Sequence, residues 1–221
     1  MFSSRTPEER YRQKLYLRAK RGASETFEMK DIETKTIYFG KGGAANTEKT
    51  LEVAAERAKQ LGIRDVVVAS THGGTALKAA KIFKNMKVNL VAVTISAGFS
   101  KEGWTMTSDE RRKLEAEGIK VLTCSHALGD GVAASLAGEH GAVSMEQIVA
   151  QTLYRFSQGM KVCVEIVLMA ADAGLIGVGR EVISIAGTGE GCDTAIVVRP
   201  AYPRNFKELE IREVLAKPRY P

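Results

Sequence analysis

The stretch REVISIAGTGEGCDTAIVVRP, Arg180 to Pro200, decides the fold. Two β-branched runs flank a loop that carries Gly187, Gly189 and Gly191. That loop is too short for a helical crossover, so its two strands are read as antiparallel neighbours. Its glycines leave backbone N–H groups uncovered, and Thr188 and Thr194 add hydroxyls. A turn of this kind suits an anion.

Outward from this pair, strand and helix signals alternate. Thr36 to Phe39 is a short strand candidate, followed by a flexible loop, GKGGAA at 40–45. Asn46 or Thr47 caps a helix to about Leu61, with Glu48 near its positive end. Leu51, Ala54, Ala55 and Ala58 share one face of it. The unbroken valines of DVVVAS, 65–70, predict a buried strand. THGGT, 71–75, turns that strand into a helix ending near Phe83. Further strands are expected at 88–94 and 119–124, with a helix at 107–117 between them. Residues 95–106 read as a loop bearing Phe99 and Trp104, and 125–142 as a long Gly-rich loop with a functional or mobile role. Helices are expected at 144–158 and 161–173, with Gly159 and Gly174 as their terminators. The tail from Phe206 carries no decisive signal. The alternation predicts a mostly parallel sheet covered by helices on both faces, with an antiparallel last strand.

Composition agrees. The chain has 221 residues, 44% of them hydrophobic but only 6% aromatic, which predicts a core of Val, Ile, Leu and Ala. Its net charge of +6 is concentrated near the N-terminus, where Arg5, Arg10, Arg12, Lys14, Arg18, Lys20 and Arg21 face only Glu8 and Glu9. Residues 1–34 are therefore read as a basic helical appendage and 35–221 as one α/β domain. Without an RNA-binding aromatic signature the basic arm reads as a solvated helix face or subunit contact, so nucleic acid is not the expected partner. Apolar residues on the arm (Tyr11, Leu15, Tyr16, Leu17) point to a homo-oligomer. Cys124, Cys163 and Cys192 form no CxxC and read as reduced thiols. No apolar run has the length of a membrane span, and a cytoplasmic protein is expected.

In such a sheet ligands sit beyond the carboxyl ends of the strands. Two of the loops there, before Thr47 and before Thr75, lead into helix N-termini, where free N–H groups favour phosphate. The candidate binding set is Asn46, Thr47, Ser70, Thr71, His72, Gly73, Gly74, Thr75, Thr94, Ser96, His126, Gly187, Thr188, Gly189, Gly191 and Asp193. Trp104 or Phe99 is expected to cover a flat ring. His72 and His126 follow strands and are candidates for phosphate contact or proton transfer, but neither has a metal-ligand partner at usable spacing. Glu165 and Asp172 share a helix face, and Lys161 stands one turn before Glu165, in reach of an ion pair. GKGGAANT lacks the ending of a P-loop, and the Gly187 loop lacks the spacing of a dinucleotide fingerprint.

NTEKTLEVAAERAKQLGIRDVVVASTHGGTALKAAKIF, then VNLVAVT, resembles the C-terminal domain of pyruvate kinase, and so does VEIVLMAADAGLIGVGREVISIAGTGEGCDTAIVVRP. Free-standing archaeal and bacterial relatives of that domain are more similar still, on NTEKTLE, STHGGTA, Gly159-Met160-Lys161-Val162, AADAG, the glycine stretch 187–195 and AKPR. The resemblance implies a three-layer α/β/α fold with a mixed five-stranded sheet. It also implies flavin mononucleotide (FMN) or a similar phosphorylated ligand in the pocket. It implies no pyruvate kinase activity, since the chain has no room for the kinase's barrel. A ligand-binding protein for a phosphorylated small molecule is the leading expectation. A small flavin-dependent oxidoreductase or phosphate-ester hydrolase using His72, His126 or Glu165 is the alternative, and a regulatory or nucleic-acid-binding protein using the basic arm is a third.

Overall fold

The computed structural model describes residues 31–220. The expected helix at 7–21, with its basic and apolar residues, lies outside them. The compact α/β unit starts at Lys35. Its strands are β1 (Ile37–Phe39), β2 (Asp65–Ala69), β3 (Asn89–Val93), β4 (Lys120–Leu122), β5 (Val182–Ala186), β6 (Thr194–Arg199) and β7 (Glu210–Pro218). Its helices are α1 (Thr47–Leu61), α2 (Gly74–Phe83), α3 (Ser108–Ala116), α4 (Val132–Glu139), α5 (Met145–Leu153) and α6 (Gln158–Asp172).

The strands form one sheet in the order β1-β7-β6-β5-β2-β3-β4. β5 and β6 pair antiparallel from Val182↔Val198 to Ala186↔Thr194, as the Arg180–Pro200 stretch requires. Period-two alternation sorts the side chains into two cores. Val66 and Val68 of β2 and Ile183 and Ile185 of β5 pack with Leu51, Ala54, Ala76 and Phe83 of α1 and α2. Val67 and Val182 face the other way, onto Val164, Val167, Leu168 and Ala171 of α6. Helices thus cover both faces, and the three-layer reading holds.

The strand count is corrected from five to seven. β7 comes from the tail that carried no decisive signal; its charged residues and irregular burial hide the period. β1 has only three residues and is held by β7, Ile37↔Ala216 to Phe39↔Pro218. The antiparallel strand is β6, and the last strand, β7, runs antiparallel to it and so along the rest. Arg57 of α1 clamps this added edge through two bonds to Glu213, at 2.7 and 2.6 Å.

Two helix readings also change. The long loop at 125–142 contains α4, which has no side-chain cap and begins after Gly131, so no start signal marks it. Gly159 does not end a helix but sits in the first turn of α6, whose cap is Ser157, accepting from the Met160 amide at 2.9 Å. A Cβ at Gly159 would lie 2.3 Å from the Thr194 hydroxyl. Glycine is there for close approach to β6, not for termination. Ala97–Glu102, within the loop at 95–106, forms a 3-10 helix.

Candidate functional site

β1, β2, β3, β4, β5 and β7 all point the same way, so the loops after β1, β2, β3 and β5 share one rim. Between β5 and β2 the chain changes direction of travel across the sheet, which is where open α/β sheets bind ligands. A cleft of about 560 Å³ opens there, walled on its far side by the start of α6. Small-molecule sites usually span about 300–1,000 Å³.

One wall is main chain. In the turn after β2 the Ser70 hydroxyl accepts from the Ala76 amide at 3.2 Å and caps α2. The amides of Gly74 and Thr75, ahead of it, have no partner among the described residues. In the loop after β5, Asp193 N–H bonds Ala186 O at 3.0 Å and Cys192 N–H bonds the Thr47 hydroxyl at 3.1 Å. The amides of Gly189, Glu190 and Gly191 have no partner among the described residues. Gly191 has φ +70°, and a Cβ on it would meet Thr47 Oγ1 at 2.3 Å and Ala44 Cα at 2.7 Å. Only glycine fits there. Lys78 of α2 brings a positive charge to this side of the cleft, and Glu190 a negative one.

The other wall is α6. Lys161 and Glu165 are nearly buried, with side chains 9% and 3% exposed, and their charged atoms are 2.5 Å apart. The second Glu165 oxygen accepts from the Leu128 amide at 2.9 Å. This is the ion pair that the one-turn spacing anticipated; Asp172 is exposed and takes no part. The loop carrying Leu128 is tied a second time by Asp130. Its carboxylate accepts from the Ser96 hydroxyl and from the His126 amide, each at 2.5 Å. The His126 ring lines the cleft with Nδ1 3.7 Å from Asp130 and is backed by Phe99 at 6.4 Å between centroids.

Of the candidate set, Thr47, Ser70, Thr71, His72, Gly74, Thr75, Thr94, His126, Gly187, Gly189 and Gly191 line the cleft. Asn46, Gly73, Ser96, Thr188 and Asp193 do not; they brace it. Asn46 donates to Lys41 O at 2.7 Å, and Gly73 packs against Leu114. The Asp193 carboxylate accepts from the Gly43 and Thr188 amides at 2.8 and 3.2 Å, latching the loops after β1 and β5 together. The Thr47 helix start offers less than expected. A 3-10 turn, Ala44–Asn46, precedes it, so the Thr47 amide and hydroxyl both bond Ala44 O. The Thr94 hydroxyl is engaged by Thr123 at 2.7 Å and Ile95 O at 2.9 Å. Trp104 and Phe99 stack on each other at 5.8 Å, and neither lines the cleft; the rings that do are the His72 and His126 imidazoles. The His72 imidazole is half exposed and reaches Glu110 at 3.3 Å, a carboxylate held low by its bond to the Thr107 amide.

Sequence reasoning did not single out Lys78, Gln158, Val93, Ile95, Val162 or Ile166 as lining residues. Gln158 could have been found had Ser157 been read as a cap. The thiols are poor nucleophiles: burial pushes Cys192 up to about 12 and raises Cys163 further, and it also raises Cys124. Among the described residues no cluster of His, Cys, Asp or Glu could hold a metal ion, and no helix is long and apolar enough to cross a membrane.

Residues 48–198 match the family described as pyruvate kinase, alpha/beta domain. The chain belongs to this family. It is also similar to a Cryptosporidium parvum pyruvate kinase solved in complex with ADP, at 15% identity and TM-score 0.39, over 72% of this chain and 24% of that one. A second pyruvate kinase structure from Cryptosporidium parvum gives 16% identity and TM-score 0.37, over 72% and 23%. The chain spans about a quarter of the length of these kinases.

Proposed function

We propose that this pyruvate kinase alpha/beta domain protein binds a phosphorylated small molecule, with FMN as the foremost candidate, in the cleft above β2 and β5. The observation that carries the reading is the group of unpartnered amides on one wall: Gly74 and Thr75 at the start of α2, and Gly189, Glu190 and Gly191 in the glycine loop. Amides at a helix start and in a glycine turn are the usual main-chain hold on a phosphate. Lys78 adds countercharge. The residues fit a flavin nucleotide in outline. The amide wall would hold the phosphate, and Val93, Ile95, Val162, Ile166 and the His126 imidazole, which line the cleft, would hold the ring. When bound, FMN supplies a ring able to carry hydride or single electrons; the part proposed for this chain is to hold and orient it.

Titration of the purified protein with FMN and with riboflavin, followed by flavin fluorescence, tests the reading. FMN should bind about 10- to 100-fold more tightly, since charge-assisted hydrogen bonds contribute about 1.5–3 kcal/mol. Equal affinity for the two flavins, with no binding of inorganic phosphate by calorimetry, would refute phosphate recognition.

A further inference from the structure

The Lys161–Glu165 pair is not explained by anion binding. A buried ion pair is costly to desolvate and seldom stabilises a fold over apolar residues of similar size. Lys161 is a poor counter-ion for a ligand, because its charge is already matched by Glu165 at 2.5 Å. Yet it lines the cleft instead of the core proper. Its surroundings are tight: Gly129 stands next to it, where a Cβ would lie 3.7 Å from Nζ, and the Tyr154 ring centroid is 5.9 Å away. Glu165 is held in place from behind by the Leu128 amide, at 2.9 Å. A primary amine in the wall of a ligand cleft, with a fixed carboxylate in hydrogen-bond reach to take its proton, has the geometry of a nucleophile beside its base.

We infer that Lys161 is an imine-forming residue, and that the cleft takes phosphorylated aldehydes or ketones whose carbonyl reaches its Nζ. The inference rests on the phosphate-binding reading above. Lys161 first passes one ammonium proton to Glu165. The free amine then attacks the carbonyl carbon, opening the C=O bond, and a proton moves from nitrogen to oxygen. Glu165 returns its proton to the hydroxyl, which leaves as water while the C=N bond closes. An ammonium and a carbonyl become a protonated imine and water, and Glu165 is again a carboxylate beside a cation. No oxidant or reductant is consumed. Lys161 is the catalytic residue in this scheme, Glu165 the base, and Leu128 N–H the group that positions Glu165.

The test uses the full chain and pyridoxal 5′-phosphate as the phosphorylated aldehyde, with borohydride to fix any imine and peptide mapping to locate it. Lys161 should carry the fixed adduct. Pyridoxal, which lacks the phosphate, should label it about tenfold less, and excess inorganic phosphate should suppress labelling. Lys161→Arg should remove the adduct, and Glu165→Gln should slow its formation. Mapping of the unaltered chain needs no variant to fold. Adducts confined to Lys78 or to exposed lysines, alongside phosphate-displaceable binding of the probe, would overturn the inference and leave the binding reading standing. If the probe, FMN and inorganic phosphate all fail to bind, the binding reading fails and the inference falls with it.

Discussion

The two walls of the cleft are built on opposite rules. The wall made by the turns after β2 and β5 presents main-chain amides, and side chains matter there chiefly by being absent. The α6 wall presents a buried charged pair, Lys161 and Glu165. The first wall is set by conformation and the second by composition. Damage to each should therefore look different: steric on the glycine wall, electrostatic on the helix wall.

Glu165→Ala should have the largest effect. It strands the Lys161 ammonium and the Leu128 amide in a buried place, at a cost of about 3–5 kcal/mol in urea unfolding. Loss of both charges in Lys161→Met/Glu165→Leu should recover most of that; no recovery would mean that the pair is not the source. Next comes Gly191→Val, which combines a left-handed backbone with a Cβ 2.3 Å from Thr47 Oγ1. About 2–4 kcal/mol of destabilisation is expected, together with loss of the FMN binding proposed above. A variant that binds FMN normally would separate the glycine loop from the ligand.

Ser157→Ala removes the cap of α6 and its bond to the Thr194 hydroxyl, at 3.2 Å. About 1–2 kcal/mol should be lost, seen as a lower thermal midpoint. A separate effect is expected at alkaline pH. Burial raises the folded pKa of Cys192 to about 12. The unfolded thiol titrates near about 8.5, so the unfolded chain releases that proton first. The stability tied to the neutral thiol is complete below about 8.5 and declines as pH rises towards the folded value. Unfolding measured at a series of pH values should show this decline, and Cys192→Ala should lessen it.

Much of the fold was legible in the sequence because its strongest signals are local. The DVVVAS run can only be a strand buried on both faces, and the short loop between two β-branched runs forces an antiparallel pair. β7 was not legible, because a partly exposed strand rich in Glu, Lys and Arg has no alternation to read. α4 was missed because nothing caps it, and the start of α6 because Gly159 was taken for punctuation when β6 presses against it.

The candidate site divides along the same line. That loops rich in Gly, Ser and Thr follow the strands is a property of the chain order, and it placed eleven of the chosen residues on the cleft. Which amides remain free, which carboxylates act as braces and which lysine meets which acid are decided by contacts between segments far apart in sequence. Asp193 reaching Gly43, Cys192 reaching Thr47 and Glu165 reaching Leu128 are separated by 150, 145 and 37 residues. Local pattern reports what a segment can do with its own backbone; only the packed chain settles which of its polar groups are already satisfied.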